Sequence, residues 1–307
     1  MTTAQPSTTH TGPLIHPATR LGHVHLTVAD LERQLLFYQQ ILRLKVHWRQ
    51  GQSAGLGAGG EDLLRLTEVP GARRRRGTTG LYHFALLFPN RRELARAIAH
   101  LFALRYPNAP TDHIISKTTY LDDAEGQTIE LYVRSLEDGF FGMENGQLAI
   151  RRADGTPSDG REPLDLDALF AHLSPDDRLD ETLPADLSLG HVHLYGANLE
   201  AQMRFYRDLL GFTNYTWIPS FRMGDVAPNE LPHMIAFNTW QGEGAPPPPP
   251  NALGMRYYTI VLPDPAELNR AVERVRQAGF AVAPTDEGLL VRDPSQVGVV
   301  LTTAAGK

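Results

Sequence analysis

The chain contains no cysteine. That excludes disulfides, thiolate nucleophiles, iron–sulfur clusters and sulfur-ligated zinc, so any metal must be held by imidazole and carboxylate groups. There is no apolar run approaching the ~18 residues that a membrane-spanning helix needs. Nor is there an excess of positive charge: 29 Lys and Arg stand against 35 Asp and Glu, a formal net charge of −6. The only dense basic stretch, Arg73 to Arg76, is short enough to be a solvated loop, so nucleic acid is not expected as a partner. Residues 1–19 lack the basic start and apolar centre of a signal peptide and read as a disordered tail, which points to the cytoplasm.

What is present is an ordinary globular composition, with 42% hydrophobic and 21% charged residues among 307, and twelve histidines to explain. The length suits one large domain or two ordinary ones. It is also internally repeated. Leu21-Gly-His-Val-His-Leu26 recurs as Leu189-Gly-His-Val-His-Leu194, an offset of 168, and ADLERQLLFYQQIL and ANLEAQMRFYRDLL follow at the same offset. In both, apolar residues fall at helical spacing, at Leu31, Leu35, Tyr38 and Leu42 and at Leu199, Met203, Tyr206 and Leu210, so a strand feeds an amphipathic helix. A second repeat aligns Tyr82–Pro89 with Arg256–Pro263 at an offset of 174, again followed by a helix start at Glu93-Leu94 and Glu267-Leu268. Short alternating runs come after each helix, and Asp122 to Gly126 marks a hairpin between two of them.

The unit is therefore β-α-β-β-β, repeated as modules 20–70, 79–135, 188–241 and 252–303. The fold class expected is α+β, with four βαβββ modules paired into two domains of curved mixed sheet. An acidic connection, 136–187, with a short helix within Pro163 to Leu173, divides the chain into an N-terminal domain 20–135 of modules one and two and a C-terminal domain 188–307 of modules three and four. Pro246 to Pro250 is an extended spacer.

Strand residues alternate faces, so His23 and His25 share one surface, and His191 and His193 share another. Paired histidines of this kind are often structural, and partners at matching repeat positions change the weighting. Module two supplies His83 in GLYHFALLF and Glu130 in QTIELYV, where a carboxylate between Ile129 and Leu131 is costly to bury without a cation. Module four serves as an internal control, with Tyr257 at the position of His83 and, counted from Asp122 and Asp293, Leu301 at that of Glu130. Two histidines and one carboxylate without sulfur describe the facial triad of non-haem Fe(II) oxygenases, which leaves coordination positions open; Mn(II) suits the same donors.

On these residues the chain resembles the vicinal oxygen chelate superfamily of glyoxalases, bleomycin resistance proteins and extradiol dioxygenases, and within it the type I extradiol catechol 2,3-dioxygenases. The motifs are Gly190-His191, Pro232-His-Met-Ile-Ala-Phe-Asn-Thr-Trp240, Thr79-Gly-Leu-Tyr-His83, Asp112-His113 with Ser116, Tyr120 and Glu130. The resemblance implies that the Gly-His motif, His83 and Glu130 supply the metal ligands. It implies that His233 is an acid–base group, that Tyr120 bonds a substrate oxygen, and that His113 supports the site from outside the ligand set. The implied reaction is Fe(II)-dependent insertion of O2 into a catechol-type diol, giving a 2-hydroxymuconate semialdehyde type product. The order of modules departs from the family pattern, which keeps these parts in the last two modules. If modules two and three pair, His191 is the remaining ligand; if one pairs with two, His23 replaces it and the acid–base histidine is missing. His191 is favoured, because module one has no counterpart of His233.

Two rivals share the fold. A glyoxalase-like isomerase would need a fourth protein ligand where Ala236 stands, and a non-catalytic binding or resistance protein would have no use for His233, Tyr120 and His113. Trp217, Phe221, Phe237 and Trp240 are expected to line the pocket. His25, His193, His47 and His100 read as structural or surface residues. The particular diol and the oligomeric state, which allows a homo-oligomer, stay open.

Overall fold

A computed structural model describes residues 12–304 apart from Glu230 and Pro232. The first module comprises β1 (Arg20–Val28), α1 (Leu31–Gln40), β2 (Lys45–Gln50), β3 (Ser53–Gly57) and β4 (Leu64–Glu68). The second comprises β5 (Gly80–Leu87), α2 (Arg91–Ala103), β6 (Ala109–Asp112), β7 (Ser116–Asp122) and β8 (Thr128–Arg134). The connection carries a hairpin of β9 (Gly139–Glu144) and β10 (Gln147–Arg152), then β11 (Glu162–Pro163) and α3 (Leu166–Phe170). The third module has β12 (Ser188–Tyr195), α4 (Leu199–Met203) running on as a π-helical turn through Leu209, β13 (Asn214–Ile218), β14 (Met223–Ala227) and β15 (Ile235–Asn238). The fourth has β16 (Gly254–Leu262), α5 (Pro265–Gln277), β17 (Val282–Thr285), β18 (Gly288–Arg292) and β19 (Gly298–Thr303).

The four module helices start for the same local reason. Asp30, Asn90, Asn198 and Asp264 are their N-caps, each side chain accepting the N–H three residues on, worth about 1 kcal/mol apiece. Alternate strand residues such as Val24, Leu26, Phe84, Leu86, Val192 and Leu194 are at most 1% exposed and form the core with the buried faces of those helices, while the opposite strand faces are left for function.

Besides the two-stranded β9–β10 hairpin, two large sheets result, and neither follows the halves of the chain. One has eight strands in the order β17-β18-β19-β16-β1-β4-β3-β2, so it joins modules one and four; the other has nine, β11-β6-β7-β8-β5-β12-β15-β14-β13, and joins modules two and three. The division into 20–135 and 188–307 is thus corrected: each sheet takes one module from each half, because β5 pairs antiparallel with β12 and β1 with β16. The connection is also more structured than a linker. Its β11 extends the nine-stranded sheet by pairing Glu162 with Asp112 and Pro163 with Thr111. Residues 1–11 of the expected tail lie outside the described residues, but its end is anchored, with Ile15 3% exposed and its N–H bonded to the Gly211 carbonyl.

Buried carboxylates tie the two sheets together. Asp123, after β7, accepts from Gln34 and Tyr38 of α1 at 3.1 and 3.0 Å. Asp293, after β18, accepts from Gln202 and Tyr206 at 2.8 and 2.9 Å. Each clasp joins a hairpin of one sheet to a helix of the other. The equivalence of Asp123 and Asp293 also corrects the register of the repeat. The counterpart of Glu130 is Val300 rather than Leu301, since Ala85 faces Glu130 across β5 and β8 as Thr259 faces Val300 across β16 and β19.

Candidate metal centre

The centre sits in the middle of the nine-stranded sheet, where three neighbouring strands each contribute one donor. On β12 the ladder slips at Gly190, and a Cβ there would stand 2.1 Å from the Tyr132 hydroxyl, so only glycine lets the next residue, His191, turn inward. On β5, Ala85 lies opposite both His191 and Glu130. Its short side chain leaves a gap over which imidazole and carboxylate meet, His191 Nε2 to Glu130 Oε2 at 3.0 Å. His83 completes the set, with Nε2 at 3.2 Å from Glu130 Oε2 and 3.1 Å from His191 Nε2. All three residues are at most 4% exposed.

This arrangement suits a divalent ion better than it suits the groups alone. Two imidazole nitrogens and one carboxylate oxygen aim at a common point, within 4.8 Å of one another, and His83 Nδ1 is buried without a hydrogen-bond partner. Burial pushes the His191 imidazole down to about 3 and lowers His83 as well. Burial alone would raise the Glu130 carboxyl, but the adjoining imidazoles hold it well below the usual carboxylate range. Neutral imidazole and ionised carboxylate are the ligand forms of these side chains.

The expected neighbours are mostly in place. His233, with a left-handed backbone at φ 64°, stacks edge-on to His191 at 4.6 Å between ring centroids. Its Nδ1 donates to the Asp225 carboxylate at 3.0 Å. Burial opposes protonation of His233, yet Asp225 raises its pKa above the ordinary value. Tyr120 faces Glu130 across β7 and β8, and burial and that carboxylate keep its hydroxyl protonated. His113 Nδ1 donates to the Gly160 carbonyl at 2.6 Å, which leaves Nε2 to accept from the Tyr120 hydroxyl at 2.9 Å. Pro232, part of the His233 motif, lies outside the described residues.

Other expectations change. Phe237 does not line the site: on β15 it points into the core, fully buried and stacked on Tyr206 at 5.9 Å. Trp217 packs against the core and Phe221 is 67% exposed; of the four aromatics, only Trp240 reaches the site histidines, 5.5 Å from His193. His193 is no surface residue, being 4% exposed with its ring 5.1 Å from that of His83. Asp225, Asn238 and Tyr82 also join the site without having been singled out. Tyr82 does so because it is the unpaired residue where β5 slips against β12, which turns it towards His193 at 5.1 Å. The slips are visible only in the ladder, whereas His193 could have been found by the rule that placed His191, two residues apart on one strand face.

The alternative ligand His23 belongs to the eight-stranded sheet. Its Nε2 lies 2.9 Å from Glu287 Oε2, while Arg65 and Tyr257 hold the other carboxylate oxygen. Asp62, two residues before β4, bonds Arg65, His47 and Trp48. This second cup is filled by its own ionic network.

The chain belongs to the Glyoxalase/Bleomycin resistance protein/Dioxygenase superfamily, whose sequence model matches residues 20–131 and 188–297. A curated relative, the catechol-2,3-dioxygenase of Bacillus subtilis (strain 168), is 34% identical over 286 residues, covering 91% of this chain and 95% of that protein. Among solved structures, glyoxalase I from Zea mays superposes with a TM-score of 0.54 at 18% identity, covering 94% of each chain. The cppA protein from Streptococcus pneumoniae TIGR4 superposes with a TM-score of 0.52 at 12% identity, covering 92% of this chain and 96% of that one. These superpositions establish the shared fold. Among the described residues no helix is long and apolar enough to cross a membrane.

Proposed function

We propose that this chain is an extradiol ring-cleaving dioxygenase, with His83, His191 and Glu130 holding Fe(II), or Mn(II) in the same donors, and a catechol-type diol and O2 as substrates. The observation that carries the reading is the convergence of two buried imidazole nitrogens and one buried carboxylate oxygen within 4.8 Å of one another. Its relative of 34% identity, a catechol-2,3-dioxygenase, supports the same chemistry. A bound divalent ion would anchor the diol oxygens and dioxygen side by side and pass electron density from ring to O2.

The protein's own groups do the rest. Asp225 accepts the Nδ1 proton of His233, which orients Nε2 of that imidazole to take and return protons beside His191. The Tyr120 hydroxyl, aligned by His113, offers a polar contact for a substrate oxygen. Tyr82 and Trp240, edge to face at 77° with centroids 5.4 Å apart, give an aromatic corner beside His193. Ala236, paired with His193 and Asp225 on its two sides, adds no donor where an isomerase of this fold would need a fourth ligand. The Asp225 carboxylate, next to Ala236 in the ladder, is turned to His233. A cytoplasmic enzyme without disulfides fits the absence of cysteine.

Anaerobic reconstitution with Fe(II), followed by catechol and air, tests the reading. A yellow ring-opened product with matching O2 uptake is expected, whereas isomerisation of a hemithioacetal with no yellow product would favour the isomerase.

A further inference from the structure

His193 poses a problem for an open coordination shell. It projects from the same face of β12 as His191 and stands directly across the ladder from His83. Its ring lies 5.1 Å from that of His83 and 6.0 Å from that of His233, and it is 4% exposed. By position and chemistry it is a third nitrogen donor, and a fourth protein ligand would take one of the positions that substrate and O2 need.

What holds it back is Asn238, fully buried at the end of β15. The Trp240 backbone N–H donates to Asn238 Oδ1 at 2.9 Å. That bond fixes which end of the amide faces which way, so Asn238 Nδ2 donates to His193 Nε2 at 2.8 Å. The lone pair of that nitrogen is thereby occupied, and the imidazole proton rests on Nδ1. Trp240 is itself pinned, since its indole N–H donates to the Phe221 carbonyl at 2.8 Å.

We infer that Asn238 is a positioning residue that keeps His193 out of the metal's coordination shell and so preserves its open sites. This rests on the reading of His83, His191 and Glu130 as ligands. Loss of the Asn238 amide frees Nε2 of His193, which then competes for the ion.

The test uses the full chain loaded with Co(II), whose paramagnetism shifts the ring N–H protons of coordinated imidazoles far outside the ordinary proton spectrum. The wild type should show two such exchangeable resonances, from His83 and His191. Asn238→Ala should show three, with Co(II) bound about tenfold more tightly, one further ligand's worth of affinity. Asn238→Ala combined with His193→Leu should return to two. Asn238→Asp should also stay at two, because its carboxylate can accept from both Trp240 N–H and His193 Nε2–H. Should the alanine variant fold poorly, Asn238→Ser, too short to reach His193, should likewise give three. Two resonances and unchanged affinity in Asn238→Ala or Asn238→Ser would overturn the role of Asn238 alone. Failure of the wild type to bind Co(II) would overturn the ligand assignment and this inference with it.

Discussion

His191 and Glu130 lie on strands that do not pair with each other, yet their Nε2 and Oε2 atoms come within 3.0 Å by reaching over Ala85 on the strand between. The equivalent place in the other sheet is taken by Thr259, whose hydroxyl accepts the backbone N–H of His23 at 2.7 Å, and the position of Glu130 is taken by Val300. A small residue at the centre of the strand is thus as much a part of the donor set as the donors. Replacing Ala85, fully buried, with leucine should force the two side chains apart. The expected loss in affinity for a divalent ion is a hundredfold or more, together with an overpacking cost of about 1–3 kcal/mol. Calorimetric metal titration beside urea unfolding separates these effects, and unchanged affinity in folded Ala85→Leu would refute the gap.

His233 and Asp225 should act on turnover rather than on metal affinity. His233→Ala removes the proposed proton-transfer group and should lower kcat by about 10²–10⁴. Asp225→Asn keeps the shape but weakens the orientation of His233, and about tenfold is expected. Iron content measured on the same samples should match the wild type; loss of iron together with activity would mean that these residues serve the metal instead.

Much of this candidate centre was legible in the sequence, because its candidate ligands obey simple rules. The repeated Gly-His-Val-His put His191 and His193 on one strand surface, and the cost of burying Glu130 between two apolar neighbours without a cation marked it as a candidate ligand. The pairing of modules was not settled by the chain, since β1 and β12 carry the same motif and only inter-strand bonding decides which modules share a sheet. The aromatic residues misled for a different reason: Phe237 is adjacent to Ala236 and Asn238, but strand alternation sends it to the opposite face. The hairpin of β9 and β10 was overlooked although its Asn145-Gly146 turn, both residues at positive φ, is a recognised hairpin signal.

The second cup predicts a pH-dependent contribution to stability. Burial opposes ionisation of Glu287, but His23, Tyr257 and Arg65 together bring its pKa down to about 2. A carboxyl depressed on folding stabilises the native state above its unfolded value of about 4.3 and loses that stabilisation as pH falls towards 2. With the Glu287 side chain 23% exposed, solvent screening reduces the effect to on the order of 1–2 kcal/mol. Glu287→Gln should therefore be less stable than the wild type at pH 7, with the gap narrowing between pH 4 and pH 2. A gap independent of pH in urea unfolding would show that packing, not charge, is responsible.

The clasps predict a cost to joining the sheets. Asp293 accepts from Gln202, Tyr206 and the backbone N–H groups of Ser295 and Val297, so Asp293→Ala strands four buried donors. A loss of about 3 kcal/mol or more is expected. Tyr206→Phe, which removes one partner, should cost about 1 kcal/mol. Equal losses for the two variants, read from denaturant midpoints, would mean that the network does not act through the carboxylate.

The ligand set is tested most directly by counting ions bound per chain under anaerobic titration with Fe(II). One equivalent is expected for the wild type and for His23→Ala, and none at comparable concentration for His191→Ala or Glu130→Gln. Binding that survives Glu130→Gln but vanishes in His23→Ala would place the metal in the other sheet.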